Sequence, residues 1–207
     1  NILEAAWKAG VKKLVFTSTG GTYGVSNGRP IQEDIIRTTS FFTDYECSKF
    51  MAEEKVLQYV NKGLDAVIVN PVRVYGPGAW TESNAVSILI KAYVTGDWHV
   101  IPGNGKAVGC FSFIEDVVDG HLLAMQYGRS GERYILGGEN VDFNTFFKKL
   151  KVLTNKDYLL VRVPVPFMLA FAWTEEVKAN AFGVEPVITR KWLKKYSYDI
   201  ACSSDKE

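Results

Sequence analysis

Tyr45 and Lys49 stand four residues apart in DYECSKF, residues 44–50. The stretch continues as MAEEKVLQYV, in which Ala52, Val56, Leu57 and Val60 recur at helical spacing, so both side chains fall on one face of a predicted helix. Groups at i and i+4 on such a face are neighbours, and the ammonium can sit by the phenol or by whatever the phenol touches. A free phenol, with a pKa of about 10, is a weak proton donor and acceptor at neutral pH. A nearby cation favours the phenolate and brings it into the working range. A tyrosine tuned in this way can give or take a hydroxyl proton. Alone, the pair favours the plainer reading, a surface lysine beside a partly buried tyrosine, so the surrounding sequence has to decide.

Upstream, LVFTSTGGTYG (14–24) is a short apolar strand running into a hydroxyl-rich and glycine-rich turn. The end of a strand is where an open α/β sheet presents its ligand groups. Thr17, Ser18 and Thr19 offer hydroxyls there, and Gly20 and Gly21 permit close approach of a backbone or ligand. Downstream, LDAVIVNPVRVYGPG (64–78) is a second apolar strand that ends in Asn70, Pro71 and a YGPG turn. Strand, Thr/Ser turn, Tyr-x-x-x-Lys helix and strand form an ordered set that chance seldom assembles.

The residues VKKLVFTSTGGTYG, Tyr45 to Lys49, NPVRVYGPG and FSFIEDVVDGHLLAM (111–125) together resemble the extended short-chain dehydrogenases/reductases, the NAD-dependent epimerase/dehydratase group. Within it the chain looks most like reductases of hydrophobic alcohols and ketones, the dihydroflavonol-reductase and farnesol-dehydrogenase types. The resemblance implies an α/β fold: the C-terminal part of a doubly wound, Rossmann-like parallel sheet over 1–78. A smaller substrate-binding region would fill 79–207, with a strand and helix returning to the sheet at about 111–127. It implies NAD or NADP as cofactor, and hydride transfer to or from a small, apolar alcohol or ketone. Tyr45 would shuttle the hydroxyl proton, Lys49 would lower its pKa and bind the nicotinamide ribose, and Thr19 would hold the substrate oxygen. Thr17, Tyr45, Lys49, Pro71 and Val74 would meet the cofactor, and Gly21, Thr22 and Asn84 the substrate. A homodimer and a cytoplasmic location are further expectations. In nucleotide-sugar members an arginine that contacts a phosphate stands where this chain has Gly109. Nothing else nearby in sequence except Lys106 would neutralise a diphosphate, which argues against transient oxidation of a sugar, as in an epimerase or dehydratase. A non-catalytic dinucleotide-sensing or partner-binding protein is the other alternative, and the intact Thr19, Tyr45 and Lys49 set weighs against it.

Several elements must position these groups. The chain has 207 residues, 47% hydrophobic, enough for one sizeable core without a visible linker. A net charge of +1 from interspersed charges gives no reason to expect nucleic acid. Cys47, Cys110 and Cys202 are odd in number and widely spaced, which suggests reduced thiols. Two histidines without a cluster argue against a metal. NILEAAWKAG opens inside a predicted helix, and no glycine-rich dinucleotide turn lies between a strand and a helix in this sequence, so it is expected to be a piece of a longer protein with one bare edge at the strand 14–17. Thr43 or Asp44 is expected to cap the Tyr45 helix, Asp116 to cap a helix after 111–113, and 141–154 to form an amphipathic helix. Trp98 and His99 are expected to pack. The apolar stretch from Val163 to Phe182, too short in its unbroken part to span a bilayer, is expected to cover the active site.

Overall fold

Strand β2 organises the fold, because its sequence AVIVNP (Ala66–Pro71) is apolar without alternation and buried along its whole length. That is the pattern of a strand covered on both faces. The computed structural model describes residues 2–78, 84–184, 186 and 188–206. Before β2 come helix α1 (Ile2–Lys8), strand β1 (Leu14–Thr17), a 3₁₀ turn (Gly20–Thr22) and helix α2 (Asp44–Val60). After it come β3 (Arg73–Tyr75), α3 (Ala85–Thr95), β4 (Val100–Pro102), β5 (Val108–Phe113) and α4 (Ile114–Tyr127). The chain continues with β6 (Arg133–Leu136), β7 (Glu139–Asp142), α5 (Phe143–Thr154), β8 (Val161–Val163), α6 (Val165–Phe182) and α7 (Arg190–Lys195).

β1 and β6 flank β2, both parallel to it. Successive side chains of β2 point to opposite faces. Ala66 and Ile68 therefore pack with Val56 of α2, and Leu3 and Ala6 of α1 lie against the same cluster. Val67 and Val69 pack on the other side with Val117 and Ala124 of α4. The result is the three-layer α/β arrangement expected from the sequence. Among the described residues β1 pairs only with β2, so its other edge carries no strand.

The remaining strands form two smaller sheets, ordered β3-β5-β7 and β4-β8. β7 runs antiparallel to β5, a departure from an all-parallel sheet. The reversal turns on Gly138, where a Cβ would stand 2.2 Å from the Phe111 carbonyl oxygen. Phe111, Phe143, Phe146, Phe147, Leu150 and Tyr93 build a second core between this sheet, α3 and α5. The C-terminal segment knits the two parts together through bridges from Cys202 to Ile31 and from Ile200 to Gly109.

Some sequence expectations shift. Thr43, and not Asp44, caps α2. Asp116 lies in the first turn of α4 without a capping hydrogen bond, so only its charge favours that terminus. α5 begins at Phe143 because Val141 and Asp142 belong to β7, and Asp142 caps the helix by accepting from Thr145 N–H at 2.7 Å. Trp98 packs as expected against the second core. Helix α6 packs on α7 and leaves Phe167, Phe171, Trp173 and Phe182 largely exposed. No helix among the described residues is long and apolar enough to cross a membrane.

Candidate active site

Thr19 follows β1 in extended backbone, with φ −155° and ψ 145°, and caps the 3₁₀ turn: its Oγ1 accepts from Gly21 N–H at 3.2 Å. The hydroxyl hydrogen remains, and the Thr19 side chain favours the Tyr45 phenolate. The turn lies against the exit of β2. A Cβ at Gly20 would come within 2.9 Å of Val72 Cγ1, so glycine sets how closely Thr19 approaches Pro71 and Val72.

Tyr45 is on the first turn of α2, whose start is held by a capping box variant. Thr43 Oγ1 accepts from Glu46 N–H at 3.2 Å, while the Glu46 carboxylate accepts from Phe42 N–H at 3.0 Å. That carboxylate is fully buried, lying 3.3 Å from Arg37 Nη2 and 2.9 Å from Lys195 Nζ of α7. Arg37 also donates to Gly21 O at 2.5 Å and Ser40 O at 2.7 Å. One carboxylate thus fixes the helix start, the loop before it, the glycine turn and α7. Burial lowers the Arg37 pKa, and the Glu46 charge opposes that shift.

Lys49, one turn on, places its Nζ 5.9 Å from the Tyr45 ring centroid and donates to Thr17 O at 2.8 Å. The expected lowering of the phenol pKa by Lys49 does not appear. Partial burial raises it above the ordinary value, and the Thr19 hydrogen bond is what pulls it down. Geometry explains this, since the ammonium is aimed at a backbone carbonyl. The Thr17 hydroxyl lies 2.9 Å from His121 Nε2. His121 Nδ1 is 2.7 Å from Val117 O and must carry the proton there, so Thr17 donates and Nε2 accepts.

Beneath the turn runs a buried polar network that the sequence reading missed. Ser18 donates to Glu53 Oε1, so Ser18 is turned inward and does not compete with Thr19 for a substrate. Asn70 Nδ2 reaches Glu53 Oε1 at 2.8 Å, Thr19 O at 3.1 Å and Thr22 Oγ1 at 3.3 Å. Arg133 Nε stands 3.0 Å from Glu53 Oε2. The signal was available: Glu46, Glu53 and Val56 fall on one stripe of α2, and two acids on an apolar face announce buried partners.

Thr22, expected at the substrate, is corrected by the same network. It is buried, and its hydroxyl donates to Thr19 O at 2.9 Å and accepts from Asn70, leaving nothing to offer a ligand. The backbone N–H and C=O of Gly21 are likewise spent on Thr19 and Arg37. Pro71 is at the buried end of β2, Val74 packs in part against the α4 core, and Asn84 heads α3.

A further correction concerns Gly109. Arg73, on the neighbouring strand, reaches over it: a Cβ at Gly109 would stand 2.1 Å from Arg73 Nη1. A cation distant in sequence therefore does lie beside Gly109. The cysteines are free, and Cys110 and Cys202 lie in one buried cluster, where the Cys202 side chain pulls the Cys110 thiol down to about 7.

The sequence profile described as "NAD dependent epimerase/dehydratase family" matches residues 1–137. A dihydroflavonol 4-reductase-like protein of Synechocystis sp. is 29% identical over 219 residues, covering 100% of this chain and 61% of that protein. The crystal structure of gox2253 superposes with a TM-score of 0.77 at 30% identity, over 99% of this chain and 62% of that one. The UDP-glucose 4-epimerase of Thermotoga maritima, solved with UDP-glucose, superposes at 0.70 with 29% identity, over 95% and 66%. The chain thus spans about three fifths of the relatives it matches most fully. With the family profile covering the Thr19 turn, the Tyr45 helix and the strands beside them, the chain belongs to the NAD dependent epimerase/dehydratase family.

Proposed function

We propose that the whole protein transfers a hydride between a nicotinamide dinucleotide and a small, apolar alcohol or ketone, with Thr19, Tyr45 and Lys49 as its working set. The observation that carries this reading is Lys49 Nζ standing 5.9 Å from the Tyr45 ring, with the Thr19 side chain close enough to favour the phenolate. When bound, the nicotinamide supplies the hydride acceptor or donor. Tyr45 takes the hydroxyl proton in oxidation and returns it in reduction. Thr19, beside Tyr45, turns its one hydroxyl hydrogen to the substrate oxygen and polarises it. Lys49 spends one of its three N–H bonds on Thr17 O, which leaves two for a ribose diol, and this fits a dinucleotide. Its part is to hold the ribose. Thr17 lies beside it, and backbone groups of Pro71 and Val74 face the carboxamide in this reading. Asn84 is assigned to the substrate side. We place the protein in the cytoplasm, in keeping with three unpaired thiols, as a homodimer.

Replacing Tyr45 with Phe in the intact protein lowers kcat by roughly 10²- to 10⁴-fold and leaves dinucleotide binding, followed by nicotinamide fluorescence, within twofold of wild type. Turnover close to normal in that variant overturns the proposal. One observation favours a second reading, transient oxidation of a nucleotide sugar: the cation over Gly109. Release of reduced cofactor in stoichiometric amounts supports the first reading, and tight retention the second.

A further inference from the structure

His121 interrupts the apolar stripe of α4. Val117, one turn before it, and Ala124, three residues after it, pack on Val67 and Val69 of β2. A polar ring on such a stripe needs partners, and both of its nitrogens have one. Nδ1–H donates to Val117 O at 2.7 Å within the helix, and Nε2 accepts the Thr17 hydroxyl hydrogen at 2.9 Å. The height of the helix over the sheet is set beside it, where a Cβ at Gly120 would press on Leu136 Cδ2 at 2.7 Å.

Thr17 is the exposed last residue of β1, a strand that among the described residues is paired on one side only. Such a strand end lacks the second ladder that would fix a central strand. Side chains supply the hold instead, from both faces of the sheet. From the α2 face Lys49 Nζ donates to the Thr17 carbonyl at 2.8 Å. From the α4 face His121, 104 residues on in the chain, takes the hydroxyl hydrogen and with it the one free torsion of a stiff β-branched side chain. The carbonyl that aims the ammonium and the hydroxyl that His121 holds thus belong to one residue, at the strand end where an open α/β sheet presents its ligand groups.

We propose that His121 is a positioning residue for the dinucleotide: through Thr17 it fixes the carbonyl that aims Lys49 at the ribose. The inference rests on the ribose role given to Lys49 above. His121 itself touches neither cofactor nor substrate in this account. Its neutral, Nδ1-protonated ring is the form the geometry requires, because only that form leaves Nε2 as an acceptor while the helix carbonyl keeps its donor.

The test is titration of the intact protein with NADH and with NADPH, followed by nicotinamide fluorescence. His121→Leu is expected to raise the Kd of whichever dinucleotide binds by about 3- to 10-fold, the worth of one hydrogen bond, with kcat at saturating dinucleotide within about twofold of wild type. His121→Gln, whose side-chain oxygen can take the Thr17 hydrogen, restores the Kd. Thr17→Val, which deletes the hydroxyl and keeps the shape, matches His121→Leu, and the double variant is no weaker than either single, since both cut the same bond. In ¹⁵N spectra of histidine-labelled protein the His121 ring, assigned by the loss of its signals in His121→Gln, carries its proton on Nδ1, and its Nε2 resonance moves in Thr17→Val. If His121→Leu does not fold, Thr17→Val and the ring spectrum decide. Wild-type affinity in His121→Leu or in Thr17→Val, losses that multiply in the double variant, or a ring protonated on Nε2 alone overturns the proposal. Lys49→Met separates the two readings. If it weakens binding while His121→Leu and Thr17→Val do not, only this proposal falls, and if it binds as wild type the ribose role itself falls.

Discussion

Asn70→Ala is the substitution that best tests whether the buried network positions Thr19. Asn70 is fully buried, and its amide divides two N–H bonds among Glu53 Oε1, Thr19 O and Thr22 Oγ1 while its Oδ1 accepts from Tyr23 O–H at 3.4 Å. Removing the amide costs one hydrogen bond to a charged acceptor, about 1.5–3 kcal/mol. It also strands the buried Tyr23 hydroxyl, a further ~1–3 kcal/mol. Thr19 O is not stranded, because it still accepts from Thr22 N–H at 3.1 Å and Thr22 O–H at 2.9 Å. The expected loss is therefore about 3–5 kcal/mol, or on the order of 10 °C in Tm for a chain of this size. Urea denaturation of the intact protein measures it. In a Tyr23→Phe background the same substitution should cost about 1–2 kcal/mol less, since no hydroxyl is left to strand. A loss below about 1 kcal/mol, or no difference between the two backgrounds, refutes the reasoning.

Thr19→Ala should raise the Tyr45 pKa above its already elevated value, because the lost hydrogen bond favoured the phenolate; ultraviolet difference titration against Tyr45→Phe reads it, and an unmoved or falling pKa contradicts the assignment. Burial and the charge of Glu53 hold the Tyr23 phenol well above its ordinary range, so its proton stays on in the folded state where the unfolded chain loses it. That stability is fully present below about pH 10 and drains away as pH rises further, and Tyr23→Phe should flatten the alkaline limb of a denaturation-against-pH curve. Glu46→Ala leaves Arg37, 5% exposed, and Lys195 facing one another without their anion and should cost about 3–5 kcal/mol by thermal melting; a melt within 2 °C of wild type rejects it. Residues 1–207 expressed alone should self-associate through the unpaired edge of β1, and a monodisperse, cooperatively melting monomer by light scattering would contradict that.

The helix and central strands were legible because their signals are local. Apolar spacing in α2, the unbroken apolar run of β2 and the Thr43 cap each need only a few consecutive residues to be read. Thr19 and Tyr45 come together because a strand end and a helix start face each other across that sheet. What escaped the sequence depends on distant pairing. Glu46 meets Lys195 and Cys110 meets Cys202 across 149 and 92 residues of chain, respectively, and no pattern within a window reports such contacts. The hydrogen bond of Lys49 escaped for a different reason. Spacing puts the ammonium near the ring but does not say which acceptor it chooses, and Thr17 O, a fixed carbonyl at a strand end, wins over a half-exposed phenol.

Two acids seven residues apart on α2 explain why the site tolerates so exposed a tyrosine. Glu46 ties the first turn of the helix outward, to Arg37, Gly21 and Lys195, while Glu53 ties the third turn inward, to Ser18, Asn70 and Arg133. Tyr45 sits just before the first anchor and Lys49 between the two, and Lys49 makes one side-chain hydrogen bond, to Thr17 O. A side chain that must reach substrate and cofactor cannot be buried for stability, so its position is set through the backbone that carries it. Val56, Leu57, Tyr59 and Val60 pack the C-terminal half of the helix on the sheet, and nondirectional apolar contacts leave the angle of its first turn less closely set. Directional bonds from two carboxylates on the same stripe set it. The buried charges are thus costly to fold around and necessary to the geometry, and the phenol's placement relative to Thr19 is what they secure.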